Sequence, residues 1–293
     1  MHETAYKIRK EFKEGDDIRD AGLTTPEGVK RFDDICYGDD SKWQVLDVYR
    51  PKDTKGQKLP VIISFHGGGW VYGDKERYQY YCMSLVKRGF AVVNYTYRLA
   101  PEYQYPAPLE DTNRVVTWVM EHAGEYDLDT ENVFMVGDSA GAQGLSLYAA
   151  ICTNPEYAKE YMFKVPDGFT LKAIALNCGL ASITITEGEE TSELMKDYLP
   201  EHGTEKEKWL MSPVLHMTEN YPPTFVMTAE GDFLRDEAPQ LVQRLTECNV
   251  TTCYRFYKWN ERPLGHVFHC DMRLKMAEVC NDDECAFFKK FIS

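Results

Sequence analysis

The sequence is poor in cysteine pairs, in positive charge and in long apolar runs, and each shortage narrows what it can be. Its nine cysteines (36, 82, 152, 178, 248, 253, 270, 280 and 285) are odd in number, scattered, and form no Cys-x-x-Cys pair. That argues against a disulfide framework and a structural zinc site, leaving reduced thiols in a cytoplasmic protein as the expectation. Lys and Arg number 33 against 47 Asp and Glu, a formal net charge of −14. A surface of that sign repels polyanions, so neither nucleic acid nor an anionic membrane is an expected partner. No stretch reaches the roughly 18 apolar residues that a membrane span needs, and the first residues carry no signal-type apolar core. Internal repeats and low-complexity tracts are absent too.

What is present belongs to a globular chain: 293 residues, 43% hydrophobic and 13% aromatic, enough for an extensive core. Strand-like runs at 43–49, 59–65, 90–95, 133–136, 171–177, 223–229 and 251–257 alternate with helical segments at 75–88, beyond Pro108, at 142–151, 237–248 and 270–292. Several strands are continuously apolar, which predicts an α/β fold with a mostly parallel sheet covered on both faces. Residues 1–40 are charged, helical in character and sparse in apolar points, with Gly15 interrupting them. Residues 180–221 are polar and irregular, with a helix near 205–211. Both read as accessories to one catalytic domain, 41–293.

The stretch that organises the rest is Val133-Phe-Met-Val-Gly137-Asp138-Ser139-Ala140-Gly141. A strand stops at a glycine-flanked turn and a small-residue helix begins, the Gly-x-Ser-x-Gly arrangement of a nucleophile elbow. Glycines are needed because a Cβ at either flank would collide with the neighbouring strand or helix. The turn exposes the Ser139 hydroxyl beside the first free N–H groups of a helix, where developing negative charge is stabilised.

A serine alcohol needs a base, and the base an orienting acid. Asp232 follows the strand at 223–229, and His266 follows the strand at 251–257. Asp236 and Glu237 compete with Asp232 but fall on the incipient helix. His269 competes with His266 but reads as the start of the closing helix, a structural position. His2, His122, His202 and His216 read as surface or packing residues. Donors for an oxyanion come from the residue after the nucleophile, Ala140, and from the loop His66-Gly67-Gly68-Gly69-Trp70, where glycine lets amides turn inward. A phosphate-cradling loop is disfavoured, since neither Gly-x-Gly-x-x-Gly spacing nor a Lys-Ser/Thr pair follows.

Taken together, HGGGW at 66–70, YRLAPE at 97–102, GDSAGA at 137–142, EGDFLRDE at 230–237 and GHVFH at 265–269 resemble the hormone-sensitive-lipase-like family of carboxylesterases. The resemblance runs over roughly 43–293 with the motifs in the family's order. It implies an α/β-hydrolase fold of about eight strands, a triad of Ser139, Asp232 and His266, and oxyanion donors Gly68, Gly69 and Ala140. It further implies a small helical cap built from 1–40 and about 180–221, and hints at a homodimer through the last strand and helix. The chain departs from the family at Ala142 and Gln143, where glycine is usual after GDSAG, at Thr96, where aspartate is common, and at Val267, where glycine follows the histidine. Arg98, Glu102 and the Arg235-Asp236-Glu237 run are expected in structural ion pairs, and His66 as an organiser of the glycine loop.

The expected activity is serine esterase hydrolysis of acetyl to butyryl esters, with neither metal nor organic cofactor. The short cap, with aromatic Tyr6, Phe12, Tyr198 and Trp209, offers no long apolar shelter for a fatty chain. Two rivals are an amidase or peptidase on the same fold and a ligand-binding receptor on an inactive hydrolase scaffold. The chain has no propeller-like partner domain for the first, and it keeps all three triad positions against the second.

Overall fold

The computed structural model describes residues 2–293. In chain order the elements are helix α1 (Glu3–Asp20), strands β1 (Val29–Cys36), β2 (Val45–Pro51) and β3 (Leu59–Phe65), α2 (Lys75–Val86), β4 (Ala91–Tyr95), α3 (Ala107–His122), β5 (Leu128–Asp138), α4 (Ala140–Thr153), the single turn α5 (Pro155–Ala158) and β6 (Leu171–Asn177). There follow α6 (Glu190–Tyr198), α7 (Glu205–Met211), β7 (Thr224–Ala229), α8 (Glu237–Glu247), β8 (Thr252–Tyr257) and α9 (Lys275–Lys289). Eight strands form one sheet in the order β1-β2-β4-β3-β5-β6-β7-β8. β2 runs antiparallel to β1 and β4, and the remaining pairs are parallel.

The strand alternation divides the core into two layers. Val61, Ile63, Val133 and Met135 point to the face covered with Val115, Val116, Leu145 and Leu241 of α3, α4 and α8. Ile62, Phe134 and Val136 point to the opposite face, against Tyr81, Met83, Phe287 and Phe288 of α2 and α9. Burial on both sides is why the central strands read as unbroken apolar runs.

Three elements differ from the sequence reading. Residues 29–36, counted there with the amino-terminal segment, form the edge strand of the sheet, so the boundary expected at 40 falls beyond the first strand. β1 (VKRFDDIC) is buried mainly at Val29, and its charged residues follow from having a neighbour on one side only. The closing helix begins at Lys275 rather than near residue 270, because Phe268–Cys270 form a separate 3₁₀ turn in which His269 is fully buried. The segment after β6 holds a second helix, α6, before the expected α7.

Helix α1 lies against α6: Lys7 Nζ donates to Glu190 Oε1 at 2.7 Å, and His2 Nδ1 lies 2.8 Å from Asp197 Oδ1. None of the helices is long and apolar enough to cross a membrane among the described residues.

Candidate active site

The ends of β3, β5, β7 and β8 converge on Ser139. β5 stops at Asp138, and the chain turns at Ser139 directly into α4. Ser139 holds φ 52° and ψ −123°, a conformation that costs a non-glycine residue about 1–3 kcal/mol. The flanks make it possible: a Cβ on Gly141 would sit 2.1 Å from the Phe65 carbonyl oxygen, and one on Gly137 would sit 2.6 Å from that of Gly141. The Ser139 N–H donates to the Asn177 carbonyl at 2.9 Å, so β6 holds the strained residue from the side.

Asp232 follows β7 and His266 follows β8, and their loops are tied by the Gly231 N–H donating to the Leu264 carbonyl at 2.9 Å. His266 Nδ1 lies 2.6 Å from Asp232 Oδ1, and His266 Nε2 lies 2.9 Å from Ser139 Oγ. A carboxylate only accepts, so the proton sits on Nδ1 and Nε2 is free to accept from the serine hydroxyl. Burial opposes ionisation of Asp232. The His266 hydrogen bond and charge, the Thr228 hydroxyl (2.7 Å) and the Leu234 N–H (2.9 Å) outweigh it and bring its pKa down to about 2.

The competing carboxylates are occupied elsewhere. Glu237 accepts the Ala181 N–H at 2.9 Å, and Asp236 lies 3.6 Å from Arg235 on the surface. Arg98 pairs with Asp111 and Glu110 (both 2.9 Å), while Glu102 pairs with Arg9 at 2.5 Å. These pairs bind the strand 4–helix 3 connection and α1 to the body.

The glycine loop follows β3. Gly68 and Gly69 have φ 120° and 59°, and a Cβ on Gly68 would strike the Tyr72 carbonyl at 2.0 Å. His66 is fully buried, stacks on Tyr97 at 4.1 Å, and donates from Nδ1 to the Gly67 carbonyl at 2.7 Å. Burial pushes its pKa down to about 4, so it stays a neutral brace of the loop. Ala140 is the first residue of α4, ahead of the first helical bond from Gln143 N–H to Ser139 O (3.1 Å). Gly68, Gly69 and Ala140 line the same cavity as Ser139.

A second brace was not visible in the sequence. The Gly67 N–H donates to the Tyr78 hydroxyl (3.0 Å), which donates to Asp138 Oδ2 (2.7 Å). Asp138, buried beside the nucleophile, has its pKa pushed up to about 6 by desolvation, against the pull of the Tyr78 bond. The motif marked Asp138 only as a variable position, and its partner comes from α2, sixty residues away. Tyr78→Phe leaves both Gly67 N–H and Asp138 without their shared partner. We expect kcat on a short ester to fall roughly ten-fold, equivalent to about 1.4 kcal/mol, with KM within two-fold. A steady-state kinetic comparison checks this, and a change confined to KM would contradict it.

The departures from the family also find places. The Ala142 methyl faces Gly179, where an added Cβ would come within 2.8 Å of it. Gln143 accepts from the Trp70 indole N–H at 3.2 Å and donates to the Met211 carbonyl at 2.7 Å, joining the glycine loop to α7. Thr96 accepts the Lys75 N–H at 3.0 Å. Val267 sits at φ 50°, the left-handed region in which a β-branched residue is strained and a glycine would not be.

The cavity around Ser139 measures about 550 Å³. Its walls include Trp70, Leu180, Leu194, His266, Val267 and α1 residues from Ile8 to Arg19. Of the expected cap aromatics only Phe12 lines it. Tyr198 instead stacks behind Trp70 at 5.5 Å, and Trp209 packs on Tyr157 and His216.

With this geometry in view, the sequence matches the family described as alpha/beta hydrolase fold over residues 62–269. The chain belongs to this family. Within the α/β hydrolases it is of the hormone-sensitive-lipase-like carboxylesterase type that its motifs resemble. It is 30% identical over 226 residues to the versiconal hemiacetal acetate esterase of Dothistroma septosporum, covering 71% of this chain and 68% of that protein. It is also 30% identical over 209 residues to Esterase LipQ of Mycobacterium tuberculosis, covering 68% of this chain but 48% of LipQ. The chain thus spans only about half to two thirds of the length of these curated relatives. Among solved α/β hydrolases, esterase B of Lactobacillus rhamnosis shares the fold with a TM-score of 0.87 at 21% identity, over 98% of this chain and 95% of that one.

Proposed function

We propose that the protein is a serine carboxylesterase that hydrolyses short-chain acyl esters, acetyl to butyryl, through an acyl-enzyme intermediate. Ester hydrolysis is supported by membership of the family and by its esterase relatives. The observation that carries the finer reading is the continuous hydrogen-bonded chain from Asp232 through His266 to Ser139, opening into a cavity walled by the glycine loop.

In this reading Ser139 Oγ attacks the ester carbonyl as His266 Nε2 takes its proton, and Asp232 holds the imidazole in the required tautomer. The carbonyl oxygen becomes an oxyanion held by the N–H groups of Gly68, Gly69 and Ala140. The acyl C–O bond then breaks, its electron pair leaves with the alcohol oxygen, and His266 returns the proton to it. Water, deprotonated by the same histidine, attacks the acyl-enzyme and releases the acid.

The short-acyl preference is supported by how the wall around the serine is held. Trp70, which lines the cavity with Leu180 and Leu194, is steadied by Tyr198 stacked at 5.5 Å and by its hydrogen bond to Gln143, and a fixed wall favours a small acyl group. With p-nitrophenyl esters from acetyl to decanoyl, kcat/KM should peak between two and four acyl carbons and fall at least ten-fold by ten carbons, a loss of about 1.4 kcal/mol. A steady rise toward decanoyl would contradict the preference.

The segments 1–40 and about 180–221 act in this proposal as the cap, supported by α1 and α6 residues along the cavity wall. A cytoplasmic location is supported by the nine cysteines, all of which are unbonded. A homodimer formed along the β8 edge is supported by exposed Tyr254 and Phe256 there.

A further inference from the structure

We infer that Glu284, a carboxyl buried in α9, is a positioning residue for the hydrolysis: through Asn177 it fixes the end of β6, against which the nucleophile and the acid of the triad are set. The inference rests on the serine-esterase reading and adds to it a residue from outside the cavity around Ser139.

Glu284 and Asn177 are both fully buried. Two donors converge on the carboxyl. The Asn177 side-chain amide donates to Oε2 at 2.7 Å, and the Tyr81 hydroxyl donates to Oε1 at 2.9 Å. Only a carboxylate accepts on both oxygens, since a glutamine in its place would turn an N–H toward one of the donors. Both partners are neutral, and burial pushes the pKa of Glu284 up to about 7 against their pull. An apolar side chain would escape that penalty but would leave both donors unpaired.

What the carboxyl holds is a joint between the two ends of the triad. Asn177 is the last residue of β6, level with Asp138 of β5 on one side and Met227 of β7 on the other. Its carbonyl accepts the Ser139 N–H at 2.9 Å, the bond that steadies the strained elbow. Its side-chain Oδ1 has no hydrogen-bond partner, so the bond to Glu284 is what fixes the side chain. The next residue, Cys178, turns at φ 51° with its N–H on the Met227 carbonyl at 2.9 Å. Cys178 Sγ, a carboxylate oxygen of Asp232 and a ring nitrogen of His266 lie within 4.8 Å of one another. Residues 177 and 178 therefore adjoin the nucleophile on one side and the acid–base pair on the other. Misplacing reacting groups by about 1 Å costs on the order of 10²-fold in rate, so a shift of a fraction of that at this joint is enough for a ten-fold loss.

The test measures kcat on p-nitrophenyl butyrate for the full chain, per active site counted by fluorophosphonate titration, with a thermal melt of each variant. Glu284→Gln should lower kcat at least ten-fold with KM within two-fold of wild type. Asn177→Ala, which keeps the carbonyl used by Ser139 but removes the tether, should lose as much. The exchange Asn177→Asp with Glu284→Gln should return kcat to within three-fold of wild type. In it the glutamine Nε2 donates to the new aspartate while its Oε1 accepts from Tyr81, so the bonds and the net charge are kept. A lower melting temperature with kcat per site within two-fold of wild type, in either single variant, makes Glu284 a stability residue and overturns the inference. An exchange variant no faster than Glu284→Gln overturns it too. In both cases wild-type turnover leaves the esterase reading standing. If wild type cleaves no ester, the esterase reading fails and the inference falls with it.

Discussion

Ser139→Ala yields a protein that folds and melts as wild type does and whose kcat on p-nitrophenyl butyrate falls by on the order of 10⁶, the scale at which serine hydrolases lose their nucleophile. The fold is spared because the hydroxyl has little structural duty. It makes no capping bond to α4, and its close partner is the His266 ring. The strained turn is held by main-chain contacts that alanine keeps: the N–H to Asn177 and the glycine flanks. Circular dichroism and a thermal melt establish that the variant is folded, and initial rates measure the loss. A folded variant retaining a tenth of wild-type activity would remove Ser139 from the reaction.

Asp232→Asn is expected to lower kcat by about 10⁴ with KM changed less than three-fold, from the loss of the productive imidazole tautomer. The substitution is nearly isosteric, and an amide oxygen can still accept from Thr228 and Leu234. What changes is the group facing His266 Nδ1. An amide nitrogen turned toward the ring donates, so the ring proton moves to Nε2, where it blocks acceptance from Ser139. With its pKa near 2, wild-type Asp232 remains a carboxylate throughout the range in which esterase activity is measured. The loss therefore reports the missing carboxylate and not a change in its protonation. Steady-state kinetics check this, and a loss below ten-fold would reduce Asp232 to a packing residue.

Much of the fold could be read from the sequence because its signals are local. β3, β5 and β6 are apolar runs bounded by glycine or polar turns, and Gly137 and Gly141 sit where any side chain would collide with main chain. Ser139 and Asp232 were legible as candidates because each closes or follows a strand of this kind, and His266 because it lies in the loop after the last strand. The structure brings those three onto one hydrogen-bonded line.

What escaped was non-local. β1 has neighbours on one side and carries Lys30, Arg31, Asp33 and Asp34, so its eight residues look like a solvated segment until β2 is placed beside them. Tyr78 and Asp138 are unremarkable apart and form a brace only when α2 packs on the sheet against β4 and β2. Arg98 and Glu102 are both in ion pairs as expected, but their partners come from other elements: Asp111 and Glu110 of α3 for Arg98, and Arg9 of α1 for Glu102. The late start of α9 follows from left-handed Val267 and the short turn after it, which no periodicity signals. Ala142 and Gln143 stood out as departures, yet the reach of Gln143 to Trp70 and Met211 depends on the packing of α7.

The central claim is that Ser139 is a nucleophile activated by His266. Treatment of the full chain with a fluorophosphonate, followed by mass analysis of its peptides, tests it most directly. The account predicts one equivalent of label on the peptide containing Ser139, with esterase activity lost in proportion, and no label at that peptide in a His266→Ala variant over the same period. Label on a different residue, or full activity after Ser139 is saturated, would contradict it.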